Sequence, residues 1–566
     1  MKRNMLNRIR FIQCGILLSL LSLLGLSVHL ALHRIFQVDE AQNLFMIRML
    51  ATHQSDLYFT NALLWMLGPM SWLVGTLTES VKIFDWARLL FLGVYLLNIV
   101  LLALNVGRKM MSYPGLLALF GAATLAPLWD YGFEVRHDNL ILTGLLLMWW
   151  LGRVSPLGRW SYFGLGFLSI LMPFVSFKAI AYSAPLSLVF LLFPPPGHKV
   201  HQSILVKTWI LGTIASAAAV VMAYQFSSAG PVFLAGIKAG LTSGTNVIRF
   251  DPIIALDRLP LQIPLIEGLA VLAVAWVLIK VLSDQKEAFT WDGLLPEALL
   301  CLGSFALLLI NPTPYPYNLV NLVPFAYLLA FRFAAPFVEF KYENHQFQTR
   351  LLGLMFFLHI TPFILAMPRH LEYTNDRQKI LIQTAEAMTD PRMDRVYDAV
   401  GMLPTRASIG FNWYNHSLNR AAFANGTIPS VSAMLTEHPA SVIIRSYRTE
   451  MMSNSDKEFI RTHYIAIADD FWVLGRTLAL GGGDYTVSHS GRYMVQQFDR
   501  GRFLPLRDAL MAGKPISEEP IELNLGTVQI QCAPNVQPAV VWIGPSLKTL
   551  PVLGKGNHSN LFRNFY

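Results

Sequence analysis

Long apolar runs fill the first two thirds of this 566-residue chain, each bounded by short polar stretches. A helix needs about 20 apolar residues to cross the hydrocarbon layer of a bilayer. Runs of or near that length occupy residues 11–33, 84–106, 113–130, 138–152, 160–177, 179–196, 204–225, 262–282, 293–311, 316–333 and 351–368. The pattern predicts a polytopic α-helical membrane protein with about eleven transmembrane helices. The fourth run is short and continues past Arg153, whose long side chain can reach the membrane boundary.

Residues 61–78, "NALLWMLGPMSWLVGTLT", are apolar enough for a twelfth span. The placement of basic residues argues against it, because Lys and Arg concentrate in cytoplasmic loops. Lys2, Arg3, Arg8 and Arg10 set the N-terminus in the cytoplasm. With eleven spans, Arg108 and Lys109, Arg153 and Arg159, Lys199 and Lys207, and Lys341 and Arg350 fall on the same side. With twelve, every one of these groups moves outside. Residues 61–78 are therefore predicted to form an interfacial or re-entrant helix in the first external loop, bent at Gly68-Pro69.

After residue 368 the long apolar runs stop and charge rises. Short alternating stretches such as "ASVIIRSY" and "TVQIQC" predict strands, and "DRQKILIQTAEAM" predicts a helix. The division expected is a transmembrane domain over residues 1–368 and an extracytoplasmic α+β domain over residues 369–566. No internal repeat or low-complexity linker interrupts either part.

Composition agrees with this picture. The chain is 54% hydrophobic and 14% charged, whereas soluble domains carry about 25% charged residues. The net charge of +9 is accounted for by the basic loops. No basic tract or nucleic-acid motif is present, so nucleic-acid binding is excluded. Cys14, Cys301 and Cys532 form no pairing framework,. The basic start "MKRNMLNRIR" precedes an apolar run too long for a signal peptide, with no small-x-small cleavage site,. The first run is expected to remain as a span.

Candidate chemistry gathers on one side. Asp39 and Glu40 follow the first run. "DYGFEVRHDNL" brings Asp130, Glu134, Arg136, His137 and Asp138 between the third and fourth. Lys178 lies between the fifth and sixth, and "NPTPYPYNLVNLVP" leads into the tenth. In the eleven-span arrangement all four loops are external. Each residue alone suits an interfacial position, and their meeting at one face is the signal. Ionisable groups at membrane level are costly and usually face water or one another. A carboxylate at the water boundary can serve as general base toward a hydroxyl or amine. Arg and Lys beside it can hold a phosphate and stabilise it as a leaving group. A lipid carrier would deliver that phosphate to the boundary, where its group passes to an external acceptor.

On these residues the chain resembles the GT-C superfamily of membrane glycosyltransferases. The resemblance is to the branch with protein O-mannosyltransferases and the bacterial aminoarabinose transferase of lipid A. "VDEAQN" is similar to the Asp-Glu signature of that family's first external loop, and "EVRHDNLIL" to an Arg-x-Asp element opening the fourth span. "SFKAIAYSAP" is similar to a Thr/Ser-x-Lys-Gly element, with Ala179 in place of Gly, and "PYPYNLVNLVP" to a Tyr/Pro-rich element. "HQSDLYFTNALLWMLGPM" stands where the family has external juxtamembrane helices. The resemblance covers about residues 1–335.

The resemblance implies a glycosyltransferase that moves a hexosyl or pentosyl group from a polyprenyl-phosphate sugar, with inversion. The acceptor would be a glycan, lipid or protein outside the membrane. Asp39 would be the catalytic base, with Glu40 supporting it or contacting the acceptor. Arg136 and Lys178 would bind the donor phosphate, Asp138 and Glu134 would orient the site, and Tyr315 and Tyr317 would line the carrier groove. Some members need a divalent metal, for which Asp39, Asp138 and Glu134 are the candidate ligands. The compact chain points to a bacterial inner membrane, with the C-terminal domain periplasmic or extracellular. A transporter or flippase of lipid-linked saccharides is the alternative, although it would distribute polar residues through the spans, often with repeat symmetry. A non-catalytic glycan-binding scaffold would leave the external charged set unexplained.

Overall fold

The computed structural model describes residues 2–52, 64–107, 109–154, 158–192, 202–226, 263–283, 294–309, 316–338, 345–414 and 422–562. Arg108, Lys199, Tyr315 and Lys341 lie outside the described residues.

Among the described residues, fourteen α-helices lie between Lys2 and Glu372. They are α1 (Lys2–His33), α2 (Val38–Ala51), α3 (Pro69–Thr76), α4 (Ser80–Asn105), α5 (Tyr113–Ala123), α6 (Ala126–Tyr131), α7 (His137–Trp149), α8 (Arg159–Val175), α9 (Ile180–Leu192), α10 (Gln202–Gln225), α11 (Pro264–Leu282), α12 (Leu295–Leu309), α13 (Leu319–Val338) and α14 (His345–Glu372). Most of the described part of each of the apolar runs is helical. Among the described residues, six helices are long and apolar enough to cross a membrane: Arg10–His33, Ser80–Asn105, Ser203–Gln225, Pro264–Leu282, Leu319–Pro336 and Phe347–Glu372. The run at 113–130 breaks between α5 and α6 because Pro127 in the first turn of α6 cannot continue the preceding helix,.

Residues 64–78 form a short 3₁₀ turn and α3, which has eight residues. At 1.5 Å per residue such a helix is about 12 Å long, less than half of the hydrocarbon layer. Gly68 stands before it at φ 64°, a left-handed conformation that glycine adopts without strain,. Arg48 of α2 fastens α3 by donating to the carbonyls of Val74, Gly75 and Leu77 at 2.6, 2.8 and 3.0 Å. Trp72 projects from α3 and is 71% exposed, as interfacial tryptophans are.

The C-terminal part begins with α15 (Asp376–Met388). Strands β1 (Val396–Tyr397), β2 (Val442–Ile444), β4 (Phe471–Thr477), β12 (Pro538–Trp542), β6 (Gly491–Asp499) and β10 (Ile521–Leu523) form a sheet in that order. β3 (Tyr464–Ala468) joins at β4 and β7 (Arg502–Pro505) at β6. A second sheet contains β5 (Gly482–Val487), β11 (Gly526–Gln531), β8 (Leu510–Met511) and β9 (Lys514–Pro515). The stretches predicted as strands are β2 and β11, and the predicted helix is α15.

This part grips the ends of α1 and α4. Asn375 and Lys379 donate to the carbonyl of Leu32 at 2.9 and 3.0 Å, filling acceptors that the end of α1 leaves open,. Gln378 exchanges hydrogen bonds with the backbone of Phe36 at 2.6 and 3.0 Å. Ser80 at the start of α4 meets Thr405 at 2.7 Å. Gly401 packs on α2 so closely that a Cβ would come within 2.7 Å of the Cβ of Phe45. The C-terminal part therefore rests on the helix that carries Asp39 and Glu40.

Candidate active site

The tandem acids occupy the first turn of α2. Successive helical side chains point about 100° apart, so adjacent residues cannot share a face. Asp39 turns outward, and its side chain is 41% exposed. Glu40 turns inward and is wholly buried. Its carboxylate accepts two hydrogen bonds from Arg88 of α4 at 2.9 and 2.5 Å. It also accepts the backbone N–H groups of Gln37 and Val135 at 2.9 and 3.2 Å. Burial pushes the Glu40 carboxyl up, but the Arg88 charge and these hydrogen bonds outweigh it and hold it below the usual carboxylate range,.

Arg88 is as buried as its partner. Its remaining N–H groups reach the carbonyls of Arg34 at 2.5 Å and Ile35 at 2.8 Å. One guanidinium thus ties the end of α1 to α2. Glu40 carries the tie onward to the loop before α7. Asn43 adds to it by donating to the carbonyl of Val135 at 2.8 Å, and Asn139 donates to that of Glu134 at 3.0 Å. The loop that presents Arg136 is pinned on both strands of its backbone path.

Arg136 is the centre of the site. Its guanidinium meets Asp39 at 2.6 Å, Asp138 at 3.3 Å and Glu134 at 3.9 Å. It lies over the Tyr317 ring at 3.9 Å from the centroid, within cation–π range. Lys178, in the turn between α8 and α9, pairs with Asp138 and sits 5.1 Å from the same ring. Its side chain is 30% exposed. Asp39, Arg136, Asp138, Lys178 and Tyr317 therefore come together from four separate parts of the sequence, with Asp39 and Lys178 accessible. Tyr315 lies outside the described residues.

Glu134 stands beneath this layer. It is fully buried and pairs with Arg34 at 2.9 Å. Burial pushes its carboxyl up to about 8, against the pull of Arg34 and with the help of nearby Glu40. The cations Arg34, Arg88, Arg136 and Lys178 thus face the carboxyl groups of Glu134, Glu40, Asp39 and Asp138. Asp130 is held elsewhere, by His370 of α14 at 2.8 Å.

The candidate metal ligands do not fit a metal as arranged. Asp39 and Asp138 face Arg136 and Lys178, and Glu134 faces Arg34. Among the described residues no group of three or more His, Cys, Asp or Glu is placed to hold an ion.

Sequence reading missed Arg34 and Arg88, the two cations that carry the buried acids. The signal was present for Arg88, which is the sole basic residue in the apolar run 84–106. A charge at such a position marks a partner inside the bundle. Arg34 was obscured by lying at the end of a run, where basic residues are ordinary.

The chain is similar to the crystal structure of the Archaeoglobus fulgidus oligosaccharyltransferase in the apo form, at 10% identity and a TM-score of 0.43. The match covers 89% of this chain and 76% of that one. No protein-family model matches the sequence, and no curated protein does.

Proposed function

We propose that this protein is a membrane glycosyltransferase of GT-C type that transfers a sugar from a polyprenyl-phosphate donor to an acceptor outside the membrane, with inversion. The single observation that carries the reading is the junction of a half-exposed carboxylate, Asp39, with the guanidinium of Arg136 at 2.6 Å and, through Asp138, with Lys178. A base and two phosphate-binding cations stand side by side at the end of the helical bundle.

The reaction follows from the roles of these groups. Arg136 and Lys178 hold the donor phosphate, and Tyr317 supports both cations through its ring. An acceptor O–H approaches Asp39, which takes the proton as the oxygen attacks the anomeric carbon. The bond from that carbon to the phosphate oxygen breaks, and its electron pair leaves on the phosphate. The two cations stabilise the charge that develops there. Glu40 and Arg88 set the position of Asp39 without meeting substrate. In the free protein Asp39 occupies one face of Arg136, so donor phosphate displaces it and frees the base. The eleven-span topology, with the C-terminal domain on the external side of a bacterial inner membrane, completes the proposal.

The test is twofold. Binding of polyprenyl phosphate to the purified protein in nanodiscs should weaken on Arg136→Ala or Lys178→Ala. Mass spectrometry of membranes from a deletion strain should show a missing glycan and an accumulated lipid-phosphate sugar. Unchanged binding by both variants would remove the phosphate role, and unchanged membrane glycans would remove the transferase reading.

A further inference from the structure

The half of the bundle remote from Asp39 holds a partly open cavity of about 500 Å³, a size typical of ligand sites. Its wall comes from Phe11 to Ser19 of α1, Tyr113 to Gly121 of α5, Leu265 to Leu269 of α11, Tyr327 to Ala334 of α13 and Thr349 to His359 of α14. The opposite ends of α1 and α13 lead to Arg34 and Tyr317 of the candidate active site, so the cavity is separate from it. Ile16, Leu117, Phe120, Leu269, Phe331 and Phe356 make its surface apolar. The polar atoms of the wall are turned to the protein itself. Tyr327 donates to the carbonyl of Ala118 at 2.7 Å, and the His359 Nε2 lies 3.0 Å from the carbonyl of Gly121. Gly15 and Gly353 line the space, and a Cβ at either would meet nothing within 4 Å. Such a cavity accepts a hydrocarbon chain.

Its edge is basic. Arg10 directly precedes the lining residue Phe11, and Arg350 directly follows Thr349. Lys109 lies in the loop leading to Tyr113, and Gln13 holds that loop by donating to the carbonyl of Met111 at 3.3 Å. All three cations are exposed. None of them carries an ion pair among the described residues. Positive charge beside an apolar cavity between helices is the combination that recognises an anionic lipid headgroup together with its chain.

We propose that this cavity binds one anionic phospholipid, with an acyl chain between α1, α5, α13 and α14 and its phosphate at Arg10, Lys109 and Arg350. The face is the one on which the basic loops gather, where anionic lipids also concentrate in a cytoplasmic leaflet. The inference does not depend on the transferase reading.

The experiment is native mass spectrometry of the full-length protein released from nanodiscs of phosphatidylglycerol or of phosphatidylcholine with the same acyl chains. The wild type should retain phosphatidylglycerol in preference. Arg10→Gln, Lys109→Gln and Arg350→Gln should each lower that preference roughly five-fold. Gly353→Leu should reduce retention of both lipids by filling the cavity, with an unchanged thermal midpoint as the control for folding. Equal retention of the two lipids by the wild type would overturn the proposal, as would full retention by Gly353→Leu. Displacement of the phospholipid by added polyprenyl phosphate would assign the cavity to the carrier and overturn it as well.

Discussion

Asp39→Asn is the most informative single change, because the structure predicts opposite effects on its two measurable consequences. The amide keeps the shape of the carboxylate but cannot take a proton. A positioned base contributes about 10²–10⁴-fold to rate, so transfer should fall by that factor, roughly 3–5.5 kcal/mol of barrier. Donor binding should move the other way. On the proposed mechanism Asp39 competes with the donor phosphate for Arg136, which it meets at 2.6 Å. The pair is far from fully buried, since the Asp39 side chain is 41% exposed. Its worth therefore belongs near the range of surface ion pairs, about 0.2–1 kcal/mol. Removing the competing charge should tighten polyprenyl-phosphate binding by roughly 1.5- to 5-fold. Both quantities can be read on one preparation in nanodiscs, by titration with polyprenyl phosphate and by single-turnover transfer. Near wild-type turnover would refute the base assignment. Weaker binding would refute the competition and make Asp39 a donor-binding group instead.

Four further outcomes follow from the same geometry. Arg136→Ala and Lys178→Ala should each weaken polyprenyl-phosphate binding roughly ten- to hundred-fold, the loss of one charge-assisted contact, measured by the same titration. Arg88→Ala leaves Glu40 charged and buried without its partner, a cost of about 3–5 kcal/mol. Thermal unfolding should show it, and the double variant Arg88→Met with Glu40→Gln should recover much of the loss. Glu134 has its folded carboxyl raised to about 8 by burial, so folding keeps it protonated where the unfolded chain ionises. The stability it contributes is full below about 4.5 and is lost as pH rises toward about 8,. Glu134→Gln should flatten the thermal midpoint across pH 5 to 8, and an unchanged slope would exclude this source. A single cysteine at position 109 should react with impermeant reagent only from the side of the N-terminus, and labelling from outside would reverse the proposed topology.

Much of the helical architecture was legible because a bilayer leaves helix as the economical way to satisfy backbone polar groups, and hydropathy records where that happens. The shortness of α3, eight residues within the apolar stretch 61–78, agrees with the expectation drawn from the basic residues that this stretch adds no crossing. What the apolar pattern concealed was the interruption of the run at 113–130, where Pro127 matters more than hydropathy. The order of strands β1, β2, β4, β12, β6 and β10 was not readable either, because partners brought together from distant positions, such as Thr477 and Ala539, leave no periodic trace. Within the site, types of residue could be placed near the right end of the bundle. Their partners could not. Nothing in "VDE" says which acid faces water, and nothing in "WARLL" says that its arginine reaches α2.

On the proposed mechanism, the split between Asp39 and Glu40 accounts for two acids in tandem. A catalytic carboxylate must be accessible, yet it must also be held in place, and one residue in the first turn of a short helix cannot meet both needs. Glu40 supplies the anchor. It binds Arg88 through both oxygens and takes the Val135 N–H at 3.2 Å, which fixes α2 against the loop that carries Arg136. Asp39, the preceding residue, is then presented to water at a set distance from that arginine. Moving the acid pair by one residue would empty one of the two positions, leaving either Arg88 or Arg136 without its carboxylate. The buried ion pair is costly to form, and a bundle built only for stability would place apolar residues there. Its presence under the exposed acid is best understood as the means by which a short boundary helix is given one fixed position.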